Sequence, residues 1–309
     1  MGERDGQLSD RAPVVLRSLL TLAIVVGLAG CSPATLPTRG AENPLLYDRR
    51  EVAVASKIAM LVPGAFASAD IFEPTEAWRD AGYAIVHYRF PGMDGLPLDH
   101  ALTIDGAAET IVAFAKQHPD KKIRLLGYST GGAVVIEAAR RLEGRDLRAA
   151  AIAPAPEQAG GLPTLIRATV DIIGAAARAG SLDRDAVWEE YFRVLLFGRT
   201  GLSDPELARR SRQIVEALRD EIVVPDNVMS ESHSRDLRRW RLTDVPPWLK
   251  TRTRFYVGRE DPVFSLGQTL ALARKAGNGK VYAYSQQGHL LFMTAPRIFD
   301  DVLQFFEGS

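Results

Sequence analysis

The chain has 309 residues, enough to bury a sizeable core as one large α/β domain or as a domain carrying an insertion. Its 38 Lys and Arg balance 38 Asp and Glu, so no net field recruits nucleic acid or an anionic surface, and a nucleic-acid partner is excluded on that ground. A hydrophobic fraction of 46% with 25% charged residues is that of an ordinary soluble enzyme and excludes a fibrous or wholly disordered chain.

At the amino terminus Arg11 and Arg17 precede a stretch without charge from Ser18 to Gly30, which closes as Leu28-Ala29-Gly30-Cys31. The stretch is shorter than the ~18 apolar residues of a membrane span and ends on small residues, so it reads as a secretory signal. Glu3, Asp5 and Asp10 dilute its basic start, which places the true start codon downstream of Met1 as an alternative. Cys31 is the only cysteine. Leu-Ala-Gly-Cys resembles the lipobox of bacterial lipoproteins, and that resemblance implies cleavage before Cys31, acylation of its thiol and anchorage to an envelope membrane. Ser32, where an Asp would retain some lipoproteins at the inner membrane, favours the outer membrane facing the periplasm. From Ser32 to about Asn43 the chain is rich in Pro, Thr, Gly and Ala without apolar periodicity. The expected division is therefore a signal at 1–30 and a tether at 31–43.

Short β-prone runs then alternate with helical ones, the pattern of a mostly parallel sheet flanked by helices. The predicted strands are Lys57–Val62, Tyr83–Arg89, Ile123–Gly127, Ala149–Ala153, Arg254–Val257 and Lys280–Tyr284, with Arg50–Ala55 as an antiparallel edge. Apolar residues at helical spacing predict helices at Glu73–Ala81, Ile104–Gln117, Gly132–Leu142, Leu266–Lys275 and Pro296–Phe306. The strand alternation stops at Pro154 and resumes only near Arg252, a gap too long for a loop. Helices are expected there at Leu162–Ala179 and Asp183–Phe197. A third is expected to begin at Ser203-Asp204-Pro205-Glu206, with Ser203 as N-cap and Glu206 closing a capping box. Residues 157–248 thus read as a helical cap inserted into a core formed by 44–156 and 249–309. No internal repeat is present.

The run Ile123-Arg124-Leu125-Leu126-Gly127-Tyr128-Ser129-Thr130-Gly131-Gly132 is an apolar strand, a G-x-S-x-G element and a helix start. That context is what a nucleophile elbow needs: a sharp strand-to-helix turn lifts the Ser129 hydroxyl clear of the sheet, and Gly127 and Gly131 stand where a Cβ would clash. From about Leu45 onward the chain resembles the α/β-hydrolase superfamily, with the cap unmatched. The resemblance implies an α/β-hydrolase fold in which the cap follows the sixth strand and Ser, acid and His occur in that chain order.

A serine hydroxyl needs a neighbouring base to become a nucleophile. Of five histidines, His289 follows the last predicted strand, after a Gly, and matches that order. His118 reads as a solvated helix end, His100 as a loop residue, His233 as a surface residue of the cap and His87 as a packed strand residue. The acid is expected after the seventh strand, where Gly258-Arg259-Glu260-Asp261-Pro262-Val263 resembles a turn common in the family. Asp261 is favoured, with Glu260 and, past the preceding strand, Glu157 as rivals. By the same resemblance the oxyanion donors are the backbone N–H groups of Thr130 and of Ala65, in Pro63-Gly64-Ala65-Phe66, where Pro replaces the family's usual His. Trp188, Tyr191, Phe192 and Trp240 of the cap read as core, with an acyl pocket as the other option. No His/Cys cluster has metal spacing and neither nucleotide-binding glycine motif occurs, so neither metal nor cofactor is expected. The implied activity is hydrolysis, through an acyl-enzyme, of a small ester with an apolar arm. A peptidase, amidase or thioesterase of the same fold, and a non-catalytic lipoprotein module, are the alternatives.

Overall fold

In the sheet that organises the chain, residue alternation along each strand feeds two separate apolar layers, because helices cover both faces. The computed structural model describes residues 36–37, 40–142, 146–159, 162–219, 225–243, 252–277 and 279–308. The stretch expected to be a signal sequence, and Cys31, lie outside them. The strands are β1 (Leu45–Tyr47), β2 (Lys57–Val62), β3 (Tyr83–Tyr88), β4 (Lys122–Tyr128), β5 (Leu147–Ile152), β6 (Thr253–Gly258) and β7 (Lys280–Tyr284). They lie in the order β1-β3-β2-β4-β5-β6-β7, with β1 antiparallel to β3 and every other pair parallel.

On one face Ile58, Met60 and Val62 of β2 pack with helices α2 (Ile104–Gln117), α3 (Thr130–Arg141) and α8 (Leu266–Lys275). On the other, Ala59 and Leu61 meet Trp78 and α10 (Ile298–Glu307), which contributes Phe299, Val302, Phe305 and Phe306. The parallel strands match the predicted runs to within two residues at each end. The near-continuous apolar runs of β2 to β6 are the signature of a sheet buried on both sides, while β7 at the edge stays half-exposed.

Four expectations need correcting. Arg50–Ala55 is not a strand but the helix α1 (Arg49–Val54), because Asp48 caps it by accepting from Arg50 N (2.6 Å) and Glu51 N (3.2 Å). The antiparallel edge is instead the three-residue β1 just before that cap. The stretch before β3 is a 3-10 helix, Ala69–Ala81, in which Pro74 removes a donor that an α-helix would use. Among the described residues the sheet has seven strands, so the strand before the insertion is the fifth rather than the sixth, and the one before Asp261 the sixth rather than the seventh. Finally, Asp204 and not Ser203 caps the helix beginning at Pro205: its Oδ1 accepts from Glu206 N (2.8 Å) and Leu207 N (3.2 Å), and Pro205 takes the first helical position.

Between β5 and β6 the regular elements among the described residues are all helical: α4 (Leu162–Ala179), α5 (Arg184–Gly201), α6 (Pro205–Ala217), α7 (Asn227–Ser234) and a 3-10 turn at Asp236–Arg238. Asp183 caps α5, accepting from Ala186 N (3.0 Å). α5 runs past its predicted end at Phe197 and is kinked at Gly198, whose φ of 71° and ψ of 176° only glycine adopts readily. Trp240 is buried in the first apolar layer, Phe192 packs against the second, and Tyr191 packs with Val187 and Ala175, so these three serve as core. After β7 the expected helix from Pro296 to Phe306 is present as α10, and the short α9 (Leu291–Thr294) precedes it unforeseen. Among the described residues no helix is long and apolar enough to cross a membrane.

Candidate active site

β4 ends at Tyr128 and α3 begins at Thr130, leaving Ser129 alone to make the turn. Its φ of 52° and ψ of −117° are costly for a residue with a Cβ and persist because neighbours fix them. Ser129 N donates to Ile152 O, and Ser129 O accepts from Gly132 N and Ala155 N, each at 2.9 Å. The glycines at either side are required by space. A Cβ on Gly127 would stand 2.1 Å from Gly131 O, and one on Gly131 would stand 2.1 Å from Val62 O. The expected elbow is thus present, with its side chain at the carboxyl edge of the sheet.

The other two candidates arrive at the same edge by parallel register. Asp261 is the third residue past β6 and His289 the fifth past β7. Their loops touch through backbone, since a Cβ on Gly258 would lie 2.2 Å from both Gln287 O and Gly288 O. Asp261 Oδ1 accepts from Val263 N and Phe264 N, both at 2.8 Å. That leaves Oδ2 to accept from His289 Nδ1–H at 2.8 Å, while Ser129 Oγ lies 3.0 Å from His289 Nε2. Ser129 is 8% exposed and His289 6%, and the Asp261 side chain is wholly buried. The buried carboxylate is therefore triply hydrogen-bonded rather than an isolated charge. Phe264 meets the imidazole edge-on at 5.3 Å, and Tyr128 lies 5.2 Å from it. Burial, and then the Asp261 charge, hold the Tyr128 phenol well above its ordinary range, so it is neutral beside the triad. Chemically the arrangement lets a hydroxyl pass its proton to an imidazole whose tautomer is fixed by a carboxylate.

The rival acids sit elsewhere. Glu157 Oε1 accepts from Leu242 N (2.7 Å) and from Lys275 Nζ (2.5 Å), an ion pair on the outer side of the β5 loop. Glu260 is held by its backbone, its N donating to Gln287 O at 3.0 Å. Thr130, as the first residue of α3, has no intrahelical acceptor for its N–H. In the Pro63–Phe66 turn Ala67 N donates to Gly64 O (3.2 Å) and Phe66 N to His233 Nδ1 (3.2 Å), bonds that leave the Ala65 N–H out. A Cβ on Gly64 would be 3.1 Å from Ser129 Cβ, so this turn presses against the elbow.

Of the remaining histidines, His100 bonds Asp99 (2.5 Å), His118 caps α2 against Phe114, and His87 lies 3.8 Å from Glu76. His233 is the exception to expectation. It is completely buried rather than a surface residue, and burial holds its imidazole below the ordinary value. Its role was invisible in sequence because its two partners are 142 and 167 residues away. A cleft of about 400 Å³ lined by Tyr47, Tyr88, His100, Leu102 and Phe114 contains none of Ser129, Asp261 or His289.

A family model described as "Alpha/beta hydrolase family" matches residues 59–302, well over half of the chain. The chain belongs to the alpha/beta hydrolase family. No curated protein matches it in sequence. Among solved structures, a hydrolase from Pseudomonas aeruginosa PA01 superposes with a TM-score of 0.60 at 14% identity, covering 90% of this chain and all of the other. A thermophilic esterase from Thermogutta terrifontis gives 0.57 at 16% identity, over 82% and 90% of the two chains. A lipase-esterase related protein from Clostridium acetobutylicum gives 0.56 at 15%, over 84% and 98%. At these identities the likeness carries the fold alone. For this alpha/beta hydrolase, chemistry has to be argued from its own residues.

Proposed function

We propose that this alpha/beta hydrolase cleaves carboxylic esters through an acyl-enzyme, with Ser129 as nucleophile, His289 as proton carrier and Asp261 as the carboxylate that orients it. The observation that carries the reading is the unbroken hydrogen-bonded series Asp261–His289–Ser129 at the carboxyl edge of the sheet. Ser129 Oγ attacks the ester carbonyl as its proton passes to His289 Nε2, and the imidazolium is stabilised by Asp261 through Nδ1–H. The oxyanion forms beside the N–H groups of Thr130 and Ala65. His289 then protonates the departing alkoxide, and water repeats the sequence on the acyl-Ser129 ester to release the acid. A fluorophosphonate probe should label the purified protein at Ser129, and Ser129→Ala should lose both labelling and ester turnover while keeping its Tm. Turnover retained by Ser129→Ala would overturn the assignment.

The segment between β5 and β6 is read as a cap over the carboxyl ends of the strands, where Ser129 sits. Cys31 is read as the lipid-bearing residue that anchors the enzyme to an envelope membrane, most simply the outer one. That reading rests on Leu28-Ala29-Gly30-Cys31 and on the absence of any other cysteine. Cys31→Ala should move the protein from the membrane fraction to the soluble exported pool. Its retention in salt-washed membranes would mean that another segment anchors it.

A further inference from the structure

We propose that His233, from α7, is the positioning residue for the oxyanion turn, its Nδ1 accepting the Phe66 N–H while its Nε2–H is anchored on Pro91 O. The proposal deepens the ester-hydrolase reading and rests on it. The two bonds measure 3.2 Å and 2.8 Å, and together they fix the tautomer: Nδ1 must be bare to accept from an amide, so the proton is on Nε2. The imidazole also stacks on the Phe66 ring at 5.0 Å, with 10° between planes, and meets Phe90 edge-on at 6.0 Å. It is completely buried, and burial keeps it neutral, the state in which Nδ1 can accept.

A strained backbone makes this contact more than packing. Phe66 has a φ of 61°, in the left-handed region that a bulky side chain avoids unless neighbours impose it. His233 touches Phe66 at both the amide and the ring, so it is placed to hold that conformation. The turn so held contains Ala65, the expected oxyanion donor, and presses on the elbow through Gly64. Pro63 has no N–H and no polar side chain with which to brace this turn, and His233 supplies that support from the helical segment. Removing the Nδ1 acceptor leaves a half-buried amide without its partner and frees Phe66 to relax, which displaces the Ala65 N–H. An oxyanion donor acts on the transition state, so its displacement lowers kcat and leaves ground-state binding nearly unchanged.

Two amide variants separate the two ring nitrogens. In His233→Asn the side-chain oxygen falls near the place of Nδ1 and can accept from Phe66 N. In His233→Gln the side-chain nitrogen reaches the place of Nε2 and can donate to Pro91 O, without restoring the acceptor. For a p-nitrophenyl ester His233→Gln should lower kcat by roughly 10- to 100-fold, within the range of losing one oxyanion donor, with KM changed less than about twofold. His233→Asn should recover most of kcat. Amide hydrogen exchange supplies a reading independent of turnover: Phe66 N–H should be protected in the wild type and in His233→Asn and exchange faster in His233→Gln. Equal kcat in the two variants, or equal Phe66 protection, would overturn the positioning role. If the wild type itself fails to take up a fluorophosphonate at Ser129, the hydrolase reading falls and the positioning role with it. Labelled wild type with indistinguishable variants sinks the positioning role alone.

Discussion

Ser129, His289 and Asp261 are each fixed by backbone groups or by a neighbour in the series, and this decides which carboxylate can orient the imidazole. Asp261 spends one oxygen on two backbone amides and the other on His289, so it can bind only the Nδ1–H tautomer. An Asn amide can keep its oxygen on the backbone amides and then presents NH₂ to Nδ1, which forces the proton to Nε2 and blocks that nitrogen as a base. Asp261→Asn should therefore cost on the order of 10³ to 10⁴ in kcat with the fold intact. Glu157→Gln should leave kcat within about twofold, since only an ion pair to Lys275, on a half-exposed side chain, is weakened. Steady-state kinetics on the two purified variants check this, and a larger loss in Glu157→Gln would exchange their roles. That Ser129, Asp261 and His289 lie just past the ends of neighbouring strands was readable in sequence, because each belongs to a short motif tied to the end of a strand. His233 was not readable: Glu231-Ser232-His233-Ser234 has no local feature that points inward, and its meaning comes only from Phe66 and Pro91 across the fold.

At the scale of elements, apolar or aromatic runs bounded by turn residues located the six longer strands, and for β2 to β6 burial on both faces writes itself directly into composition. The failures were where a few polar atoms decide. Asp48 turned an expected strand into α1, and Asp204 rather than Ser203 took the cap of α6, in each case because an Asp carboxylate could reach two amides at once. The kink in α5 was equally hidden, and it has the largest consequence. After Gly198 the chain turns away, and before it Leu196 O and Leu195 O accept from Gly288 N (2.9 Å) and Leu290 N (3.0 Å), the residues on either side of His289. Gly198 itself abuts the acid loop, where a Cβ would stand 2.4 Å from Glu260 O. Gly198→Ala should thus cost about 1–3 kcal/mol for the backbone conformation alone, and more for the clash. It should also lower kcat by moving Glu260 and Asp261 relative to His289. Thermal unfolding and kinetics together test this, and an unchanged Tm with unchanged kcat would mean that α5 does not support the site.

For the whole molecule, the helical segment and the sheet build the site jointly. His233 reaches the oxyanion turn, the carboxyl-terminal part of α5 brackets His289, and Gly198 meets the loop of Asp261, so three loops of the core are each tied to the helices between β5 and β6. A lid hinged freely over the core would make no such backbone bonds. Ser129 and His289 are almost wholly enclosed, and the rings beside the imidazole are aromatic: Phe264 meets it edge-on at 5.3 Å, and Tyr128, itself met edge-on by Phe292 at 4.8 Å, lies 5.2 Å from it, so an ester arm reaching Ser129 is expected to meet apolar surface. An acyl arm there exchanges water for aromatic and aliphatic contacts, at about 0.8 kcal/mol for each methylene buried. That corresponds to roughly a fourfold gain in kcat/KM per methylene while the arm remains in contact in the transition state. Across p-nitrophenyl acetate, propionate and butyrate, kcat/KM should therefore rise in steps of that order, and then fall where the rigidly tied helices leave no further room. Since the loops carrying Ala65, Asp261 and His289 are tied to those helices, the fall with longer chains should appear in kcat as well as in KM. A profile flat from acetate onward, or one favouring aminoacyl amides, would replace an apolar-ester substrate with a polar or peptidic one.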